Sequence, residues 1–202
     1  MGQIIEINID GLKHINAWLT AMPEEANAVL RSSIRSALKA AHNEALIQIS
    51  RRYTISMEAT EKNIREIMSL GSPANAQLIA KGRRRRIFNF DISPKKEPDT
   101  GWTSFDGYDV EIVRGQKHHL PNSLFWVRTK NGPVLTSYKT KTGKRGGKER
   151  VGYNSPFSGL STAQMLGNEE VAEKVSEVTK STLEEVFAKG MERRLRKRGA
   201  AA

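Results

Sequence analysis

Four histidines and no cysteine stand in the 202 residues, so thiolate metal sites, disulfides and a cysteine nucleophile are excluded. His118 and His119 adjoin just before Pro121. Consecutive side chains on extended backbone point apart, which makes the pair poor co-ligands and reads more simply as exposed turn histidines. His42 and Glu44 do not make the H-E-x-x-H spacing of a zinc helix. Asp109 and Glu111, with Asp106 nearby, would share one strand face. That face suits either a metal-dependent nuclease or the polar side of an exposed strand, and the second reading is the simpler. Gly143–Lys144–Arg145–Gly146–Gly147 lacks the Walker spacing and a preceding strand, so no phosphate loop is indicated. The expectation is a protein that holds macromolecular partners, with no catalytic residues, no cofactor and no metal, rather than an enzyme.

The residues that carry chemistry are the cations. The formal net charge is +11 and the sequence pI is about 10.0, a balance that favours polyanionic or acidic partners. Lys81 stands with Arg83, Arg84, Arg85 and Arg86. Lys130, Lys139, Lys141, Lys144, Arg145, Lys148 and Arg150 face only Glu149. Arg193, Arg194, Arg196, Lys197 and Arg198 close the chain's last helical pattern. These three segments carry +16, which leaves −5 on the rest. Arg83–Arg86 adjoins Phe88 and Phe90, a mixture that can grip a phosphate backbone and stack a base. Alternation equally lets both phenylalanines point into a core with the arginines on the rim, and that reading is preferred. For the arginines, nucleic acid, an acidic protein neighbour and plain solvation all remain open.

Those segments need elements to place them. Ile5, Ile7 and Ile9 alternate with polar residues, predicting a strand or extended arm over 1–10. Leu12, Ile15, Leu19 and Met22 predict a short helix. Pro23, Glu24 and Glu25 suit the first turn of a new one. Its stripe of Leu30, Ile34, Ala37, Leu38, Ala41, Ala45 and Ile49 runs to about Tyr53, roughly 45 Å at 1.5 Å per residue. A short helix is expected over 59–64. Strands are expected at 67–70, 77–81, 87–90, 108–114 and 124–129, with a proline-broken loop over 93–101. Asn131–Gly132–Pro133 predicts a turn with a return strand over 134–138. Residues 139–150 contain no anchor for a core and predict a mobile basic loop. Ser161 with Gln164 resembles a capping box, and Asn168 can cap a second long helix. That helix has an apolar face of Val171, Val175, Val178, Leu183, Val186, Phe187, Met191 and Leu195.

The expected class is α+β: a long N-terminal helix, a central, mostly antiparallel β-sheet with basic loops, and a long C-terminal helix. The expected organisation is an N-terminal strand or arm over 1–10, one domain over 11–198 and a disordered tail over 199–202. Met1–Asp10 lacks the pattern of a signal peptide, and no apolar run reaches the roughly 20 residues of a membrane span. Together with the missing cysteines, this predicts a protein made in the cytoplasm, with no membrane partner.

The order of pieces resembles the minor tail protein Z family of tailed bacteriophages and prophages. An isoleucine-rich start and a short helix lead into a long alanine-rich helix. That helix ends in Ile49–Ser50–Arg51–Arg52–Tyr53–Thr54–Ile55, followed by Lys62–Asn63–Ile64. Ile87–Phe88–Asn89–Phe90 and Phe125–Trp126–Val127–Arg128 follow. Ser155–Pro156–Phe157–Ser158–Gly159–Leu160–Ser161 resembles, with departures, the family's Gly–Pro–Ser element before Met165 and the terminal helix. The resemblance implies a virion protein, made in the host bacterial cytoplasm, that completes the head-proximal end of the tail. It would meet the tail tube or terminator and the neck or connector proteins as a ring, with six copies implied, in non-specific proximity to DNA. The family implies no catalytic residue. The three basic segments would then face the DNA channel or an acidic neighbouring ring. A head-side connector or another minor tail component is the nearest alternative, and a free nucleic-acid-binding protein is the alternative of another class.

Overall fold

The computed structural model describes residues 3–7, 13–69, 75–95, 107–121, 124–130, 132–136, 138–139, 144–145, 148–149, 152–153 and 157–199. In chain order the elements are β1 (Gln3–Ile7), α1 (Lys13–Ala21), α2 (Pro23–Arg52), α3 (Met57–Glu61), β2 (Ile64–Ser69) and β3 (Asn75–Ala80). Then come β4 (Asp91–Ser93), β5 (Gly107–Glu111), β6 (Lys117–Pro121), β7 (Phe125–Thr129) and β8 (Gly132–Thr136). Four two-residue strands follow: β9 (Tyr138–Lys139), β10 (Lys144–Arg145), β11 (Lys148–Glu149) and β12 (Gly152–Tyr153). α4 (Thr162–Leu166) and α5 (Glu169–Gly199) close the chain. This is a mixed helix-and-sheet protein with a long N-terminal helix, small antiparallel sheets and a long C-terminal helix.

The chain forms two compact units. The first comprises Met1–Ile49, Thr60–Gly82 and Thr162–Ala202. Its frame is α2 and α5, with a three-stranded sheet in the order β1-β3-β2. The predicted stripe on α2 is the buried one: Leu30, Ile34, Ala37, Leu38, Ala41, Ala45 and Ile49 are all inside, with Ala26, Val29 and Ser33 beside them. Ser33 tolerates burial because its hydroxyl donates to the Val29 carbonyl at 2.9 Å. On α5 the buried row is Val171, Val175, Thr179, Leu183, Phe187 and Met191. Thr179 satisfies its hydroxyl on the Val175 carbonyl at 2.6 Å. β3 is the central strand, antiparallel to both neighbours, with Gln3 and Ile64 each opposite Ala80. Ala76, Leu78 and Ala80 are buried, and α4 and α5 lie against β1.

Two close approaches define the frame. A Cβ on Gly190 would stand 2.4 Å from Val29 Cγ1, so glycine lets α5 cross α2 in near contact. Arg198 meets Glu25 eight residues farther along α5, so the two helices run antiparallel there.

The second unit comprises Ser50–Ala59 and Arg83–Ser161. Its described sheets are β4-β5-β6, the hairpin β7-β8, and the short pairs β9 with β12 and β10 with β11. Its core joins Ile87, Ile92, Tyr108, Val110, Leu124 and Leu135, with Phe88, Ile112 and Leu120 packed on it. The strand expected over 87–90 is instead a 3-10 turn, Ile87–Asn89. A four-residue apolar run does not fix its own period, and here the Asn89 and Phe90 amides close back on Arg86 and Ile87 at 3.0 Å. Both phenylalanines still pack inward: Phe90 is buried and Phe88 half-buried. The hairpin also differs from expectation. Gly132 and Pro133, expected in the turn, belong to β8, opposite Thr129 and Arg128. Most of the loop expected over 93–101 lies outside the described residues.

Candidate functional site

The three basic segments meet different fates. Arg83 and Arg84 are exposed, while Arg85 and Arg86 are half-buried. Arg85 is built into the second unit. Its amide donates to Leu160 O at 3.3 Å, and its carbonyl accepts from Gly159 at 2.8 Å. Its guanidinium Nη2 donates to the Ala59 carbonyl. Burial pushes that guanidinium below its ordinary pKa. Arg86 bridges Ser158 across a single antiparallel contact. Of the second segment, Lys139, Lys144, Arg145 and Lys148 lie in β9, β10 and β11, in antiparallel pairs. Lys141 and Arg150 lie outside the described residues.

The third segment builds a site within the first unit. The start of α2 and the end of α5 enclose an open groove of about 800 Å³. Glu25, Ala28 and Ser32 form the α2 wall, and Arg193, Arg194, Lys197 and Arg198 form the α5 wall, with Gly190 at one end. Arg198 Nη1 reaches Glu25 Oε1 at 3.3 Å. Among the described residues no carboxylate lies in salt-bridge contact with Arg193, Arg194, Arg196 or Lys197. Arg196 is exposed on the same helix end but does not line the groove. Position along α5 puts the four lining cations at i, i+1, i+4 and i+5, two rows one helical turn apart. Met22, Glu25, Ala28, Val29, Ser32 and Gly190 are the lining residues that sequence reading did not assign to a site. Gly190 carried the one available signal, a glycine inside a helical pattern, which costs about 1 kcal/mol against alanine and so calls for a packing reason.

The acidic pair is spent on local contacts. Asp109 Oδ1 lies 2.9 Å from His119 Nδ1 on the paired strand, both exposed. Glu111 Oε1 accepts the Gly115 amide at 2.8 Å. A polar cleft of about 410 Å³ nearby includes Thr54, Asp91, Lys95, Glu111 and Arg114. Its charges are likewise engaged: Lys95 with Asp91 at 3.2 Å, and Arg114 Nε with the Ser50 carbonyl at 3.0 Å. In the first unit His42 Nδ1 pairs with Glu66 Oε1. Among the described residues no three His, Asp or Glu side chains gather as a metal cluster. No described helix is long and apolar enough to cross a membrane.

Comparison with family models, with characterised proteins and with solved structures returns no match in any of the three.

Proposed function

We propose that this chain is a structural virion protein that completes the head-proximal end of a bacteriophage tail and joins it to the neck as a homo-oligomeric ring around the DNA channel. The virion part rests on the resemblance in the order of sequence pieces. The oligomeric part is supported by one observation. In the sheet β1-β3-β2 both outer strands leave an edge that pairs with no other described strand. Each edge strand also exposes a large apolar side chain, Ile4 at 49% and Ile67 at 49%. A strand edge with open amides and carbonyls is a template for another chain. Two different edges at opposite sides of one sheet make a head-to-tail contact, and such contacts generate rings when the rotation closes.

The decisive experiment locates the chain by electron microscopy of intact virions carrying a labelled copy. Density at the head-proximal end of the tail is expected. Label at the distal tip, or particles that lack the chain, would overturn the reading. In solution, light scattering should give a closed oligomer that Ile67→Lys reduces to a monomer; a wild-type chain that stays monomeric at high concentration removes the ring. The alternative, a free nucleic-acid-binding protein, draws on the cationic end of α5. It gains if the monomer binds duplex DNA with nanomolar affinity at moderate salt.

A further inference from the structure

We infer that the groove between the start of α2 and the end of α5 seats the phosphodiester backbone of duplex DNA. The choice of DNA as occupant rests on the reading of the chain as a ring around a DNA channel. The location rests on the groove's own chemistry.

One wall offers four guanidinium and ammonium groups, and the groove holds one carboxylate, Glu25, which is in contact with Arg198. Arg193, Arg194 and Lys197 therefore face the groove uncompensated among the described residues. The other wall carries short side chains, Ala28 and Ser32, which leave room for a chain to lie against the cations. The Ser32 hydroxyl is turned onto the Val29 carbonyl at 2.7 Å and presents no competing negative charge. The two cation rows are about 5.4 Å apart along α5, one helical turn. Guanidinium and ammonium groups along this wall can contact phosphates without reading a base, which is the contact a sequence-independent channel wall needs. An acidic protein helix fits less well, because helix-in-groove docking needs an apolar seam. Here the apolar lining is the short Ala28, a half-buried Met22 and Val29, itself 5% exposed, too little for such a seam.

The test is the salt dependence of duplex binding by the full-length chain, followed by fluorescence anisotropy on a labelled mixed-sequence duplex between roughly 50 and 200 mM salt. Each neutralised phosphate contributes about −0.9 to the slope of log affinity against log salt. Arg194→Ala with Lys197→Ala should flatten the wild-type slope by about 1.8. Glu25→Gln frees Arg198 and should steepen it by about 0.9, with tighter binding at low salt. That gain cannot arise from misfolding, which guards against a variant that merely fails to fold. Ser32→Glu, at an exposed position, should weaken binding while leaving the cations in place.

An unchanged slope in the double variant, or weaker binding by Glu25→Gln, overturns the proposal and moves any DNA contact to another segment. Displacement of the duplex by polyglutamate at equal charge concentration also overturns it, since the groove would then read charge without preferring phosphate. Oligomer formation and entry into virions are scored on the same variants. Slopes that shift as expected in a chain that never enters particles leave the groove standing and sink the virion reading. Slopes that stay fixed in a chain that does enter particles sink the groove alone.

Discussion

Replacing Gly190 by alanine probes the crossing of α2 and α5 that shapes the groove. The new Cβ would stand 2.4 Å from Val29 Cγ1 and 3.5 Å from Val29 Cβ and Cγ2. Val29 is 5% exposed and β-branched within a helix, so χ1 has one strongly preferred rotamer. The methyl can be admitted by turning Val29 off that rotamer, at about 0.5–1.5 kcal/mol, or by easing the helices apart, at about 1–3 kcal/mol. Against this, alanine in a helix interior is better than glycine by about 1 kcal/mol. In the wild-type background the terms nearly cancel or leave a loss of up to about 2 kcal/mol. In a Val29→Ala background the obstruction is gone and only the propensity gain remains, so Gly190→Ala should stabilise by about 1 kcal/mol. The effect of one substitution thus depends on the other, with a coupling of about 0.5–3 kcal/mol in the double-mutant cycle. Urea unfolding followed by far-UV circular dichroism, which reports the two long helices, measures all four proteins. An equal effect of Gly190→Ala in both backgrounds would refute the close crossing.

Further substitutions probe individual groups of the second unit. Arg85→Ala removes a charged hydrogen bond to the Ala59 carbonyl and should cost about 1.5–3 kcal/mol in urea unfolding, whereas Arg83→Ala and Arg84→Ala, both exposed, should stay within about 0.5 kcal/mol. Equal effects at 83, 84 and 85 would show that Arg85 is not a structural arginine. Burial pushes the Tyr53 phenol above its ordinary pKa, outweighing the charge and hydrogen bond of Arg52, which pull it down. The folded state then holds this proton more tightly than the unfolded chain, so stability is complete below the unfolded value and falls as pH rises toward the folded one. Tyr53→Phe should remove that alkaline loss while changing the neutral-pH midpoint less; an identical alkaline limb in both proteins would exclude Tyr53 as its source.

The helices were legible because a core stripe repeats every three or four residues whatever it packs against. All seven stripe positions on α2 are buried, from Leu30 to Ile49. The same reading overreached at Leu195, which is 39% exposed, because the pattern continues past Met191, the last buried residue of α5. What failed was local pattern without context. Ile87–Phe90 alternates like a strand, yet it is a 3-10 turn because its amides find partners three residues back. Pairing was not legible at all: β1 finds β3 across 69 to 77 residues, from Ile7 opposite Ala76 to Gln3 opposite Ala80, and no periodicity encodes that choice. Nor could the sequence place Glu25 beside Arg198, a contact 173 residues apart. The cations of the groove were thus readable as a cluster, but the wall opposite them was not.

The cluster on α5 also asks for a reason that the helix itself does not provide. Residues 192–199 are all exposed, so packing does not hold this end. The helix dipole favours cations within the last turn, where Arg196, Lys197 and Arg198 stand, by about 0.3–1 kcal/mol each. Like charges three or four residues apart oppose this by about 0.2–0.5 kcal/mol per pair. The pairs Arg193 with Arg196, Arg193 with Lys197, Arg194 with Lys197, and Arg194 with Arg198 are all of that kind. Arg193 and Arg194 lie before the last turn, where the dipole has faded, so within the helix they contribute repulsion and little else. They are also two of the three groove-lining cations that face it without a carboxylate partner among the described residues. A polyanion in the groove would offset that repulsion, which ties the local energetics of these two arginines to the function proposed for the whole chain.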